Sequence, residues 1–203
     1  LKNCIRYVKR NKNDEKKIWG MGYPVGSYAS TQVFFQAFVN KESIIYLFGN
    51  DFKKITNNIS KYSVTNLSCT PTFLSMILIH TFSKNNVLKK ITTGGEKTNR
   101  GLISSYKEKF TNAEYINIYA STETGSLLYS NSELFSIPEK YNKLMMIKEG
   151  TLRVHKDLLN SSSKMEINDD WYDTKDKVEF ISQNKFKFIS RINGYLNTGG
   201  YRI

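Results

Sequence analysis

The sequence predicts an α/β fold: a mostly parallel sheet flanked by helices, followed by a smaller antiparallel β-rich subdomain. Three observations predict it. Between residues 43 and 119, short apolar runs alternate with amphipathic segments. The joints between them carry caps, a proline or a glycine pair. After residue 126 the helical spacing gives way to alternating β patterns. The expected units are residues 1–126, an α/β subdomain, and residues 127–203, the β-rich one.

Each element follows from its residues. Residues 1–20 are polar and basic, with a weak strand pattern at Cys4–Val8. WGMGYPVGSYASTQVFFQAFV (19–39) reads as a glycine- and proline-bearing loop, then a helix with Val33, Phe34, Ala37 and Phe38 at helical spacing. SIIYLF (43–48) is a continuous apolar run, the mark of a buried strand. DFKKITNNISKY (51–62) puts Phe52, Ile55, Ile59 and Tyr62 on one helical face, with Asp51 as its cap. VTNLSC (64–69) is the next strand. TPTFLSMILIHTF (70–82) is a helix with proline in its first turn, where a missing N–H costs least. LKKITT (88–93) is a strand that a glycine pair ends. RGLISSYKEKF (100–110) carries Leu102, Ile103, Tyr106 and Phe110 on one face, and EYINIY (114–119) is a further strand. Beyond residue 126, GTLRVH (150–155), KVEFIS (177–182) and KFKFISRI (185–192) have β character, and NSSSK (160–164) reads as a loop.

Composition narrows the classes. The chain has 203 residues, 39% hydrophobic, which suits a globular protein and not a disordered one. No apolar run approaches the roughly 20 residues that span a bilayer, and the basic start is not followed by the apolar segment of a signal peptide. Because the chain starts at Leu1, its natural N-terminus is expected elsewhere. Cys4 and Cys69 have no metal spacing and are expected to be reduced, in a cytoplasmic protein. His80 and His155 lack a second ligand at helical spacing, so no zinc site is expected. The net charge of +12 is compatible with nucleic acid, an anionic substrate, a membrane surface or a base-biased genome.

Four short stretches invite chemistry, and each also has a plain structural reading. TTGGE (92–96) places Gly94, Gly95 and Glu96 after a strand, where glycine lets a flat ring approach the backbone; it is equally an ordinary strand-to-helix turn. YASTE (119–123) gathers Tyr119, Ala120, Ser121, Thr122 and Glu123. Hydroxyls and amides there suit phosphate oxygens and the carboxylate suits Mg²⁺; the same residues also make a capped turn. WYDTKD (171–176) offers Asp173 and Asp176 as acceptors for ribose hydroxyls, or an exposed turn. ISRINGYLNTGGYRI (189–203) carries Arg191, a fork for phosphate or ribose oxygens or a surface hairpin residue.

Taken in order, these stretches resemble the adenylate-forming family of acyl- and aryl-CoA synthetases, nonribosomal peptide adenylation domains and luciferases. Tyr119–Glu123 is similar to the family's Tyr-Gly-x-Thr-Glu box, and Gly94-Gly95-Glu96 to its adenine wall. Tyr172–Asp176 is similar to Tyr-x-Thr-Gly-Asp, with lysine for the glycine, and the stretch from Ser190 to Ile203 to the hinge box. The resemblance implies that Tyr119, Ala120 and Ser121 lie with Gly94, Gly95 and Glu96 around adenine. It implies Thr122 on the α-phosphate, Glu123 on Mg²⁺, Asp176 on the ribose and Arg191 on ribose or phosphates. The implied reaction is attack of a carboxylate on the α-phosphorus of ATP, then transfer of the acyl group to coenzyme A or a phosphopantetheine carrier. The implied partners are a small carboxylic acid and an acyl carrier protein, with neither nucleic acid nor a membrane span.

The departures are specific. The family's phosphate loop with its lysine should precede residue 20, and its lysine-bearing C-terminal domain should follow the hinge; neither is in this chain, which therefore reads as a fragment. Asn193 stands where the hinge residue is usually Asp or Lys, and Ser27 near where many CoA ligases carry a histidine. YPVGSYAST lacks the aspartate that amino-acid activators keep, which favours a fatty or aryl acid. An amino-acid adenylation domain, a degenerate noncatalytic relative and a basic nucleic-acid-binding module are the alternatives.

Overall fold

The structure, a computed structural model, describes Val8, residues 16–80, 87–160, 165–182 and 184–192, and the backbone of 197–198 and 201–202. The weak strand at 4–8, apart from Val8, lies outside the described residues, as do Cys4, Asn193 and Gly200.

Five parallel strands and one antiparallel strand form the larger sheet. In chain order they are β1 (Ile18–Gly22), β2 (Ser43–Tyr46), β3 (Asn66–Cys69), β4 (Lys90–Gly94), β5 (Glu114–Ser121) and β6 (Gly125–Ser130). Their spatial order is β2-β1-β3-β4-β5-β6, and only the β5–β6 pair is antiparallel. Parallel neighbours need crossovers. Helices α1 (Tyr28–Val39), α2 (Phe52–Lys61), α3 (Pro71–His80) and α4 (Arg100–Lys109) supply them.

Local chemistry accounts for the helix starts. Side chains of Ser27, Asp51 and Asn99 accept from the backbone N–H of Ser30, Lys54 and Leu102, respectively. Ser27, the residue near the expected histidine position, is thus the cap of α1. Helix α2 buries Ile55 and Ile59, α3 buries Phe73, Leu74, Ile77 and Leu78, and α4 buries Leu102, Ile103 and Tyr106. These join Leu67, Ile91 and Tyr115 of the sheet in one core.

Several elements differ from their sequence-based expectation: β6 and the strand Met145–Lys148 fall where none is expected, and β2 is an edge strand with Ser43 and Tyr46 exposed, not a buried one. Residues 18–22 form the strand β1, between β2 and β3, where a loop is expected. Gly20 and Gly22 are packing residues there. A Cβ on Gly20 would stand 2.8 Å from Leu47, and one on Gly22 would stand 2.7 Å from both Cys69 and the Phe73 ring. In α1 only Val33 and Ala37 of the apolar stripe are buried. Phe34 and Phe38 are exposed and stack on each other at 5.9 Å. Tyr62 is likewise exposed, at the C-cap of α2.

The second sheet is antiparallel: β7 (Met145–Lys148), β8 (Thr151–His155), β10 (Trp171–Ser182) and β11 (Lys185–Arg191) run in the order β11-β10-β8-β7, and β9 (Ile167–Asn168) pairs with β10. Two short strands, β12 (Asn197–Thr198) and β13 (Tyr201–Arg202), pair with each other. The second core holds Phe135, Met145, Leu152, Val154, Val178 and Phe186, together with Leu127 and Leu128 of β6. Strand β6 therefore belongs to the first sheet by hydrogen bonding and to the second core by packing. This shared strand fixes the second sheet beside the carboxyl ends of β4 and β5, where an open α/β sheet can hold a ligand.

Candidate functional site

Turns from both sheets meet at the carboxyl ends of β4 and β5. Gly94 closes β4, buried, and a Cβ there would stand 3.0 Å from the carbonyl oxygen of Ile118. It lets the two strands approach. Gly95 follows with φ +82° and open space at its missing Cβ. Glu96 accepts from the backbone N–H of Thr72 at 3.0 Å, and so ties this turn to the start of α3.

Strand β5 ends in the YASTE turn. The β5–β6 register shifts between Tyr119 and Ala120, a bulge that re-aims the side chains after it. Ser121 Oγ accepts from the Thr124 N–H at 3.2 Å and pairs with the Thr124 hydroxyl at 2.9 Å. Thr122 is exposed and donates to Glu123 Oε2 at 3.1 Å. From the second unit, buried Asn160 holds the crest of this turn: its N–H donates to the Glu123 carbonyl at 2.6 Å and its Nδ2 to the Thr122 carbonyl at 2.8 Å.

Strand β10 supplies the opposing wall, where the sequence allows an exposed turn. The WYDTKD stretch lies within the strand and carries a bulge: Asp173 pairs with Arg153, and the next partners on β8 are Lys177 and Thr151. Buried Thr174 donates to the Leu152 carbonyl at 2.8 Å and accepts from the Asp176 N–H at 3.2 Å. Asp176 is thereby aimed at Tyr119, whose hydroxyl donates to Asp176 Oδ2 at 2.7 Å. Arg191 Nε stands 3.8 Å from Asp176 Oδ1. One face of the Tyr119 ring stacks on Phe188 at 4.3 Å and 12°.

These residues line two cavities. The first, of about 300 Å³, is bordered by Gly95, Glu96, Tyr119, Ala120, Ser121, Asp176 and Arg191, seven of the eleven residues the sequence nominates. The second, of about 520 Å³, is bordered by Glu123, Arg153, Trp171, Tyr172, Asp173 and Lys175 among others. Gly94 lies under the β4–β5 contact, and Thr122 stands at the exposed crest of the turn.

The two acids differ in proton affinity. Burial pushes the Asp176 carboxyl up; the Tyr119 hydrogen bond and the Arg191 charge oppose this and the Glu123 charge adds to it. Burial also works to raise Glu123, but hydrogen bonds from its own backbone, Ser121 and Thr122, with the Arg191 charge, hold it below the ordinary glutamate range. Burial, then the Asp176 charge, push the Tyr119 phenol well above its usual value. Glu123 and Asp176 thus share a field, with Arg191 acting on both.

The residues fit the groups the resemblance implies. A flat base needs an apolar slot with a few polar contacts, and the first cavity provides open space at Gly95 beside the Tyr119–Phe188 stack. Mg²⁺ needs one or two ionised carboxylates and completes its shell with phosphate oxygens and water. Glu123 is such a carboxylate. Among the described residues no group of three or more His, Cys, Asp or Glu is placed to hold a metal ion, so an all-protein cage is not what this site offers.

Sequence reasoning missed Phe188, Asn160 and Arg153. The alternation of KFKFISR, which turns Phe186 and Phe188 to one side of the strand, is a signal for the first. Nothing local marks Asn160 or Arg153.

The pattern of the AMP-binding enzymes matches residues 4–147. Sequence comparison with curated proteins returns no significant match. Among solved structures, the o-succinylbenzoate CoA synthetase MenE of Bacillus subtilis, bound with its product analogue OSB-NCoA, is similar with a TM-score of 0.71 and 15% identity over 93% of this chain and 43% of its own. The same enzyme in complex with ATP and magnesium ion gives 0.68 and 15% over 93% and 44%. IdnL7 gives 0.73 and 12% over 96% and 46%. The chain spans less than half the length of these proteins. With the parallel sheet, the converging turns and a family pattern matched over well over half of its residues, the chain belongs to the AMP-binding enzymes.

Proposed function

We propose that this chain is the nucleotide-binding part of an ATP-dependent carboxylate ligase that forms an acyl-adenylate and hands the acyl group to a thiol. One observation carries the reading: the Tyr119–Asp176 hydrogen bond, which joins the end of the first sheet to the bulge of the second at the wall of one cavity. MenE, of the same fold, has been captured with ATP and magnesium ion and with the acyl-adenylate intermediate OSB-AMP.

In this reading the base lies against Gly95 and the exposed face of Tyr119. Asp176 accepts from the ribose hydroxyls, and desolvation favours this because a buried acceptor gains from each added donor. Arg191 and the Thr122 hydroxyl face the α-phosphate. A carboxylate oxygen of the acid substrate bonds to the α-phosphorus as the bond to the bridging oxygen breaks, and pyrophosphate leaves with that electron pair. A thiol of coenzyme A or a carrier's phosphopantetheine then bonds to the acyl carbon. The C–O bond to AMP breaks, and the thiol proton passes to solvent. Glu123 would hold Mg²⁺, which supplies charge neutralisation at phosphate oxygens when bound. The contribution of the chain's own residues is positioning and preorganised charge.

Calorimetric titration with Mg-ATP and with AMP tests the binding half of the reading. Saturable binding that Asp176→Ala and Tyr119→Ala both weaken is the expected result. Binding that neither substitution alters rejects it. Pyrophosphate exchange with a panel of fatty and aryl acids, run on the longest available form of the protein, tests the chemistry.

A further inference from the structure

Lys175 occupies backbone space that side chains avoid. Its φ is +63°, in the left-handed region, where a β-carbon crowds the following carbonyl and glycine does not. Among the described residues five other non-glycine residues share that region, and of these six only Lys175 lines one of the cavities described above. The conformation is held from several sides. The Lys175 N–H donates to Asp173 Oδ1 at 2.8 Å, its carbonyl accepts from the Ile192 N–H at 2.8 Å, and the flanking Thr174 is anchored to β8. Strain retained at a cavity, at a position where Tyr-x-Thr-Gly-Asp would place a glycine, points to a use for the side chain.

The surroundings say what that use is. The Lys175 ammonium is half-exposed, 3.5 Å from Asp173 Oδ2. Arg153, the strand partner of Asp173, borders the same cavity and is paired through Nη2 with Glu149 at 2.7 Å. The Nε of Arg153 is buried and finds no acceptor among the described residues, an unmet donor of the kind that folded proteins rarely keep without a purpose. Glu123 borders this cavity as well. Two cations, Lys175 and Arg153, therefore border a volume that adjoins the Thr122–Glu123 turn, together with the carboxylates of Glu123, Asp173 and Glu166; an anion there must draw the two cations from their present partners Asp173 and Glu149.

We propose that Lys175 is a polyphosphate-binding residue: from the strained bulge of β10 its ammonium, with Arg153, receives the β- and γ-phosphate oxygens of the nucleotide in the cavity beside Glu123. The inference rests on the nucleotide reading of the neighbouring cavity. It assigns to this chain a phosphate contact made by a lysine where glycine would be the unstrained choice. Free pyrophosphate presents the same chemistry and takes the same place.

The test uses the full chain with Lys175→Gly, Lys175→Met and Lys175→Arg, titrated with Mg-ATP, AMP and pyrophosphate, alongside urea unfolding. Lys175→Gly is expected to raise the unfolding midpoint, since the strain goes, while weakening Mg-ATP and pyrophosphate binding about tenfold and leaving AMP within about twofold. Lys175→Met keeps the wild-type midpoint and shows the same selective loss. Lys175→Arg retains most of the affinity. A wild type that prefers ATP to AMP, with that preference intact in the Gly and Met variants, overturns the proposal and leaves the nucleotide reading standing. Equal loss for ATP and AMP also overturns it, because the residue then acts on the whole site. A wild type that binds neither nucleotide overturns both.

Discussion

Two places along the carboxyl end of the larger sheet contrast: among the described residues one is filled and the other is open. The order β2-β1-β3-β4-β5 reverses direction at β1, so the rule for open α/β sheets points to the β1–β3 crevice. That crevice is filled. Tyr23 is buried over it, with its hydroxyl donating to the Cys69 carbonyl at 2.6 Å, and Gly22 packs against Cys69 and Phe73. Burial pushes the Cys69 thiol far above its usual range, so it is inert as a nucleophile. The crevice at β4, β5 and β6 is instead lined by Gly95, hydroxyls and the carboxylates of Glu96, Glu133 and Asp176, and the second sheet walls it. Topology says where a crevice can form; side-chain volume decides whether it stays empty.

Substitutions in the filled crevice should therefore move stability, and those in the open one should move nucleotide binding. The largest effect is expected from Gly22→Val, whose first carbon alone meets Cys69 and Phe73 at 2.7 Å. Overpacking of this kind costs about 3 kcal/mol, read as a fall in the urea midpoint. A midpoint left in place would mean the crevice is slack. Glu123→Ala comes next: a loss of about thirtyfold in Mg-ATP affinity, roughly 2 kcal/mol, with the midpoint barely moved. A larger change in stability than in affinity would reverse the contrast. Tyr119→Phe removes the donor to Asp176 and is expected to cost about 1 kcal/mol of stability, because a partly buried acceptor is left unmet.

The smallest effect carries a sign. Asp176 has a raised folded-state pKa, so its contribution to stability is present below its ordinary value of 3.8 and is lost as pH rises through the folded one. Glu123 has a lowered one, so its contribution is present above its ordinary 4.5 and is lost as pH falls through the folded one. Asp176→Asn should then stabilise the fold at pH 7, by less than about 1 kcal/mol, with the gain fading below pH ~4. Glu123→Gln should destabilise it at pH 7, with the loss fading in acid. Parallel pH profiles for the two variants would show that the turns do not differ as described.

Much of this arrangement was legible in the residues. The alternation of short apolar runs with amphipathic segments from 43 to 119 announced the parallel sheet, because strands at that spacing need helical crossovers between them. YASTE was legible as a candidate site because it gathers hydroxyls and an acid at the end of a strand, whereas WYDTKD reads as a turn and is a bulge within β10. Strand β1 was not legible: Gly20 and Gly22 read as loop residues, and what makes them strand residues is Leu47, Cys69 and Phe73, distant in sequence. The partial exposure of the α1 stripe escaped for a related reason, since spacing marks a face without saying what covers it. Asn160 escaped because its partners are two backbone carbonyls, and backbone leaves no trace in the sequence around it.

A crystal structure with Mg²⁺ and a non-hydrolysable ATP analogue tests most directly whether turns from the two sheets converge on one nucleotide. The base is expected between Gly95 and Tyr119, with Asp176 on the ribose and the phosphates toward Glu123. A nucleotide seated at the β1–β3 crevice, or one touching the YASTE turn without Asp176, would contradict it.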